Sequence, residues 1–356
     1  MRVLVAPDKF AGTLTAVEAA AAIADGWRRQ APGDELDLLP MSDGGPGFVD
    51  VLAAALGGSL EPVVVRGPFG DPVPAALLLV GDTAYVESAQ ACGLHLTGGQ
   101  DAELASTYGV GELVVAAREA GARTVVVGLG GSGTNDGGAG LLAALGATAD
   151  RPLDGGVAGL PGITRVDLPD PGVTLLAASD VDSQLTGLFG ATKTFGPQKG
   201  IPEERLPAVD GVLEELARAA GARTSLEKGA GAAGGLGYAL LLLGATRRPG
   251  IELVAEATDL PGRARLADLV VTGEGAFDFS SRAGKVPYGV AAVAADAIRP
   301  CVALAGQVLV GSREMRALGI ESAYSLVELV GEERAFADPA GALADLAARV
   351  ARTWSR

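Results

Sequence analysis

An α/β fold, in which parallel strands alternate with helices, is what this sequence predicts, and three observations carry it. Short apolar runs rich in valine, leucine and alanine recur along the chain, most of them closed by glycine, proline or aspartate as buried strands are. Stretches with helical spacing of apolar residues lie between many of these runs. Finally, 356 residues exceed what one hydrophobic core usually supports, so two domains are expected.

Taken in order, RVLVA (2 to 6) reads as a buried strand, and Thr15-Ala-Val-Glu18 spells a capping box opening a helix through Trp27 that Pro32-Gly33 ends. LDLLP (36 to 40) is a second strand, GFVDVLAAALG (47 to 57) a second helix and PVVVR (62 to 66) a third strand, so the opening reads as a βαβ arrangement with parallel strands. The stretch GPFGDPVP (67 to 74) breaks this rhythm and reads as the crossing into a second domain. Further strands are expected at ALLLV (76 to 80), TVVVG (124 to 128), TLLAA (174 to 178), DLVVT (268 to 272), CVALA (301 to 305) and SAYSLV (322 to 327), with a closing helix near 340 to 352.

Composition removes several classes of function. The hydrophobic fraction of 48% comes in short runs, and none approaches the length needed to cross a bilayer. The amino terminus enters RVLVA with no basic region and cleavage site, which predicts a cytoplasmic location and no membrane partner. Lys plus Arg 28 against Asp plus Glu 43 gives a net charge of −15, which repels nucleic acid and requires a locally basic pocket for any anionic substrate. Cys92 and Cys301 are too few for a disulfide framework. His95 is the single histidine, so histidine-rich metal sites are excluded and acid or base chemistry falls to carboxylates and lysines.

The most informative stretch is DLVVTGEGAFDFSSRAGKVPYGVA (268 to 291). Its strand would deliver Glu274 and Asp278 to the carboxyl edge of a parallel sheet, with Lys285 nearby, a set suited to phosphate chemistry with a divalent metal. GGSGTNDGGAG (130 to 140) places Thr134, Asn135 and Asp136 where a helix begins; its amides could bind phosphate, and Asp136 either caps the helix or helps hold a cation. Asp180 and Asp182 follow the strand TLLAA, and residues two apart on an extended chain share a side, so both could face one pocket. FGPQKG brings Lys199, APDKFAG brings Asp8 and Lys9 past the first strand, and MSDGGPG brings Asp43 past the second. Each also reads as ordinary turn chemistry, but their shared position after successive strands favours a common site. Gly128 to Gly133 carries the dinucleotide spacing, and Gly229 to Gly234 repeats it without a convincing strand before it; tight turns explain either equally well. The Walker A pattern is missing, so a kinase built this way is not a P-loop kinase.

Together these strings resemble the bacterial glycerate kinase family of the glyoxylate and glucarate pathways: APDKFAGTLTA, PMSDGGPG, GGSGTNDGGAG, SDVDSQLTG, FGPQKG, GAGAAGGLGYAL, VTGEGAFD and LAGQVLVG run in family order nearly to the chain's end. The resemblance implies ATP-dependent phosphorylation of D-glycerate with Mg2+, most often at the 2-hydroxyl, and two α/β domains: a Rossmann-like parallel-sheet domain, 1–66 with 260–356, and a second α/β domain, 67–259, inserted in it, with the active site in the cleft between them. On that footing Lys199 and Lys285 neutralise the transferring phosphoryl group, and Asp278 takes the hydroxyl proton with Asp182 in reserve. Glu274, Asp180 and Asp136 are the metal candidates. Lys9 and Arg282 are candidates for the substrate carboxylate, and Asp8, Asp43, Gly130, Gly131, Thr134 and Asn135 for substrate or nucleotide contacts. Many relatives carry lysine at the position of Ala11, arginine or serine at Ala276 and glutamine at Ser280. The partners expected are small molecules, and a homodimer is compatible with the sequence. Two other readings remain: an NAD-dependent oxidoreductase resting on Gly128 to Gly133, and a non-catalytic sugar-acid binding protein resting on the two-domain cleft.

Overall fold

The computed structural model describes residues 1–10, 12–278 and 285–355. The expected α/β class is observed, in two compact units. Unit 1 comprises Met1–Asp43, Asp50–Leu56 and Gly250–Arg356, and unit 2 comprises Gly44–Val49 and Gly57–Pro249.

Unit 1 is built on strands β1 (Arg2–Val5) and β2 (Glu35–Leu38), and unit 2 on β3 (Ser59–Arg66), β4 (Pro72–Val80), β5 (Thr83–Glu87), β6 (Thr124–Gly128), the small ribbon β7 (Thr148–Ala149) and β8 (Val166–Asp167), β9 (Thr174–Ala178) and β10 (Thr246–Arg248). The chain then returns to unit 1 for β11 (Leu269–Phe277), β12 (Cys301–Val308) and β13 (Ser322–Ser325). In unit 1 the order is β13-β12-β11-β1-β2 and every pair is parallel. All five carboxyl ends therefore lie along one edge of the sheet, where open α/β folds place ligands. Helices Ala16–Gln30 and Pro339–Trp354 cover one face, with Ile23, Trp27, Leu343 and Val350 buried against Val3, Val271 and Leu304. Gly26 is required at their crossing, because a Cβ there would strike the Ala344 carbonyl. The capping box read in the sequence is present, with the Thr15 hydroxyl and the Glu18 carboxylate each accepting from the other's backbone N–H.

Unit 2 holds a six-stranded sheet, β10-β9-β6-β5-β4-β3. Only β5, β6, β9 and β10 are parallel neighbours; β3 and β4 form an antiparallel hairpin at the edge. This corrects two expectations. The third strand does not extend an opening parallel βαβ unit, and GPFGDPVP is the turn of that hairpin, closed by Gly67 N–H donating to the Asp71 carbonyl at 2.6 Å, rather than a passage between domains. Because β3 pairs along its whole length with β4, it belongs to unit 2, and the long stretch of unit 2 runs over 57–249 instead of 67–259. The last predicted strand also ends early: Ser325 caps a helix, its hydroxyl accepting from Glu328 N–H at 3.3 Å, so 326 and 327 are helical.

Candidate active site

In unit 1 the charged residues gather where parallel strands end. The Asp8 N–H donates to the Gly273 carbonyl at 2.8 Å, which ties the loop after β1 to β11. Asp8 itself is buried, and its Oδ1 accepts from the Lys9 N–H at 2.7 Å. The Lys9 ammonium lies 3.6 Å from Asp8 and 3.8 Å from Asp43, so its charge is shared by two carboxylates. Burial pushes the Asp8 carboxyl up to about 7; Lys9 opposes the shift, and Asp43 and Glu274 add to it. Strand β11 runs further than expected, to Phe277, so Glu274 sits within it rather than beyond its end. Its glycines permit this: a Cβ at Gly273 would strike the Leu304 carbonyl of β12. Glu274 is buried, and Lys285 Nζ stands 3.7 Å from it and 3.8 Å from Asp278. The two lysine and carboxylate groups in unit 1 are thus Asp8, Lys9 and Asp43 with Glu274, Asp278 and Lys285. Arg282, Ala11 and Ser280 lie outside the described residues.

Unit 2 gathers a second group around Lys199. This side chain is 2% exposed, and its ammonium donates to the Ser132 hydroxyl at 2.8 Å and the Thr134 carbonyl at 2.7 Å, both neutral. No carboxylate forms an ion pair with it among the described residues. Burial lowers its pKa to about 8, partly offset by Cys92 and Asp136. Asn135 is fully buried; its Nδ2 donates to Thr192 at 2.9 Å while its Oδ1 meets no partner among the described residues.

Two candidates in unit 2 are engaged in contacts of their own. Asp136 is buried with both oxygens occupied: Oδ2 accepts from Thr107 N–H and hydroxyl at 2.8 Å each and from Gly140 N–H at 3.1 Å, and Oδ1 accepts from Gly138 N–H at 2.9 Å. Burial raises its pKa against those donors. These bonds tie the loop 130–140 to Thr107 and cap the helix that follows. Asp182 turns away to the surface, paired with Lys228 at 3.0 Å and Arg247 at 2.6 Å, and the Lys228 hydrogen bond leads in holding its carboxyl below the ordinary range. As a doubly paired carboxylate it is a poor proton acceptor. Asp182→Asn should therefore leave turnover within about threefold; a loss of a hundredfold in steady-state assays would return it to the catalytic set.

The loop 130–140 is also tighter than its spacing implied. Gly130 N–H donates to the Gly44 carbonyl at 3.0 Å, Gly133 N–H to Cys92 at 2.7 Å and Gly137 N–H to Gly234 at 3.0 Å, so much of its backbone is consumed internally. A Cβ at Gly130 would strike Gly45 and one at Gly131 would meet Pro46, and the following helix starts only at Ala139. These glycines serve close packing, the explanation by tight turns that the sequence also allowed. His95 is exposed in a short helix, and both cysteines are free and buried, their thiols pushed up to about 12. One residue escaped sequence reading: Glu87, buried at the end of β5, whose Oε2 accepts from Gly47 N–H at 3.0 Å. The apolar rhythm of β5 is broken by Thr83 and Tyr85, so neither the strand nor its terminal acid stood out.

Lysines and carboxylates collected at the ends of parallel strands, with a buried ammonium and no P-loop, define an α/β enzyme that handles an anion. A sequence profile described as the Glycerate kinase family matches residues 3–355. The chain is 40% identical to a glycerate kinase of Bacillus subtilis, covering 92% of this chain and 90% of that one, and 36% identical to a glycerate 2-kinase of Escherichia coli, covering 93% and 92%. The fold matches a putative glycerate kinase 2 from Salmonella typhimurium with a TM-score of 0.82 at 35% identity, covering 99% of this chain and 98% of that one. The chain belongs to the glycerate kinase family and is a kinase.

Proposed function

We propose that the protein transfers the γ-phosphoryl group of ATP to the 2-hydroxyl of D-glycerate, giving 2-phosphoglycerate and ADP, as a cytoplasmic enzyme acting on free small molecules. The observation that carries the reading is Lys199, a buried ammonium held by neutral oxygens. A cation so desolvated is completed by an anionic ligand, and a phosphoryl group in transfer is one. The hydroxyl oxygen forms the new bond to phosphorus, the bond to the β,γ-bridging oxygen breaks, and the hydroxyl proton passes to Asp278. On this reading Lys285 also serves to neutralise phosphate charge and Lys9 to take the substrate carboxylate.

Magnesium fits the donors present. Among the described residues no group of three or more His, Cys, Asp or Glu is arranged to hold a metal by itself. Mg2+ in phosphoryl transfer is instead held by one or two carboxylates together with the substrate phosphates. Glu274 and Asp180 are the carboxylates that would hold it. When bound it neutralises phosphate charge that these acids would otherwise repel. The E. coli relative's name supports the 2-position.

Incubating the purified protein with Mg-ATP and D-glycerate and reading the product by phosphorus NMR tests the reading. A phosphorus resonance from the 3-position would overturn the regiochemistry, and no phosphorylated acid would overturn the reaction. Asp278→Asn is expected to lower kcat roughly a hundredfold or more with KM little changed. If that variant keeps near-normal turnover while Asp8→Asn loses it, the proton goes to Asp8.

A further inference from the structure

Unit 1 winds outward in two directions from β1 and β11: β2 follows β1 on one side, and β12 and β13 follow β11 on the other. The carboxyl ends of β1 and β11 therefore flank a switch point, where open α/β sheets take their ligands. Lys9 stands beyond β1 with 27% of its side chain exposed, steadied by the carboxylates of Asp8 and Asp43. Asp8 adjoins Lys9 in sequence, but Asp43 comes from a glycine-rich loop and has to be brought there. The chain on its amino side is fixed by unit 1: Leu39 N–H donates to the Val5 carbonyl at 2.8 Å and Met41 N–H to the Pro7 carbonyl at 2.9 Å. On its carboxyl side the four residues Gly44 to Gly47 include three glycines, with φ of +91° at Gly44 and +92° at Gly47, a backbone with little preference of its own. What fixes this stretch lies in unit 2. The Gly44 carbonyl accepts from Gly130 N–H, and a Cβ at Gly128 would strike it. Glu87, 5% exposed and paired with Gly128 across β5 and β6, takes the Gly47 N–H at 3.0 Å.

We propose that Glu87 is a positioning residue for the substrate carboxylate: by holding the Gly47 N–H it fixes Asp43, and through Asp43 the Lys9 ammonium. The inference rests on the kinase reading above, in which Lys9 takes that carboxylate. An apolar residue at the end of β5 would be buried at far less cost than a glutamate, so the acid there calls for a role. A backbone bond such as Gly130 to Gly44 forms whatever the side chains are, whereas the Glu87 bond depends on one side chain reaching one N–H. Gly47 leads into the helix Phe48–Leu56, and the amino end of a helix favours a carboxylate. At 3.8 Å the Lys9 and Asp43 charges attract without a direct hydrogen bond, so the place of the acid decides how the ammonium sits.

Reach and charge at position 87 are separable in the intact enzyme. Glu87→Asp keeps the charge and draws the acceptor back by one methylene, while Glu87→Gln loses the charge and keeps an acceptor at full reach. Glu87→Asp is expected to raise KM for D-glycerate roughly tenfold, with KM for ATP and the melting temperature little changed, and Glu87→Gln to keep both KM values within about threefold of the parent. In an Asp43→Asn background the same Glu87→Asp change should add less than about twofold, since the group it positions no longer carries a charge. An unchanged KM for D-glycerate in Glu87→Asp, a larger rise in Glu87→Gln, an equal rise in KM for ATP, or the full loss repeated in the Asp43→Asn background overturns the assignment while the parent goes on phosphorylating D-glycerate. A parent that leaves D-glycerate unphosphorylated with Mg-ATP overturns the kinase reading, and the assignment falls with it.

Discussion

Lys199→Met is expected to lower kcat by roughly a hundred- to a thousandfold, the range for removing one preorganised group that stabilises developing charge. The fold should survive. Methionine fills nearly the same volume, and the loss of two hydrogen bonds is offset by no longer burying an ammonium. The pH dependence separates this from a general structural effect. In the folded protein Lys199 titrates at about 8, against 10.5 for an ordinary lysine. Between those values the unfolded chain holds the proton and the folded chain does not, so the parent's stability rises with pH across that window. The cost of the buried charge is fully present below about 8. Denaturant titrations of parent and variant should therefore show the parent gaining on the variant from pH 8 to 10, and kcat/KM of the parent should decline over the same range. Parallel stability profiles, or a variant with parental turnover, would remove Lys199 from the reaction.

Asp8→Asn should do two opposite things: stabilise the protein at pH 8 and depress its turnover. The Asp8 carboxyl titrates at about 7 when folded and near 3.8 when unfolded. The folded state thus binds the proton more tightly, and stability is lost as pH rises from about 4 through 7, leaving an ionised, buried carboxylate above that range. With EDTA present, so that no divalent ion compensates, the variant should be more stable than the parent by on the order of 2 kcal/mol at pH 8 and no more stable at pH 4. Turnover falls because Lys9 loses one of the two acids that hold it. A residue that destabilises the fold where it works is the pattern of a site selected for chemistry. Equal stability at pH 8 would show that Asp8 is comfortably solvated or paired.

The sequence made the parallel strands legible because their apolar runs close on turn-forming residues, TVVVG on its glycine and TLLAA on Ser179-Asp180, and the observed bounds match there. It misplaced the hairpin of β3 and β4 because proline and glycine mark a tight turn and a linker in the same way; only the pairing of Val65 with Val73 distinguishes them. That Glu274 and Lys285 come together was readable from their places after the apolar run 268–272. The pairing of Asp182 was not, since Lys228 and Arg247, which hold it, lie far along the chain. For Asp136 the capping bonds from Gly138 and Gly140 N–H were readable in the sequence, whereas the bonds from Thr107, nearly thirty residues away, were not.

The crowding of Gly130, Gly131 and Gly133 against Gly45, Pro46 and Thr97 has a practical consequence for mutagenesis. Alanine at Gly130 would press on the Gly45 backbone, and at Gly131 or Gly133 on the Pro46 ring or the Thr97 side chain, so lost turnover there would report faulty packing and say little about chemistry. Scans meant to find phosphate contacts are better aimed at the side chains of Ser132, Thr134 and Asn135, where an atom can be removed and none has to be added.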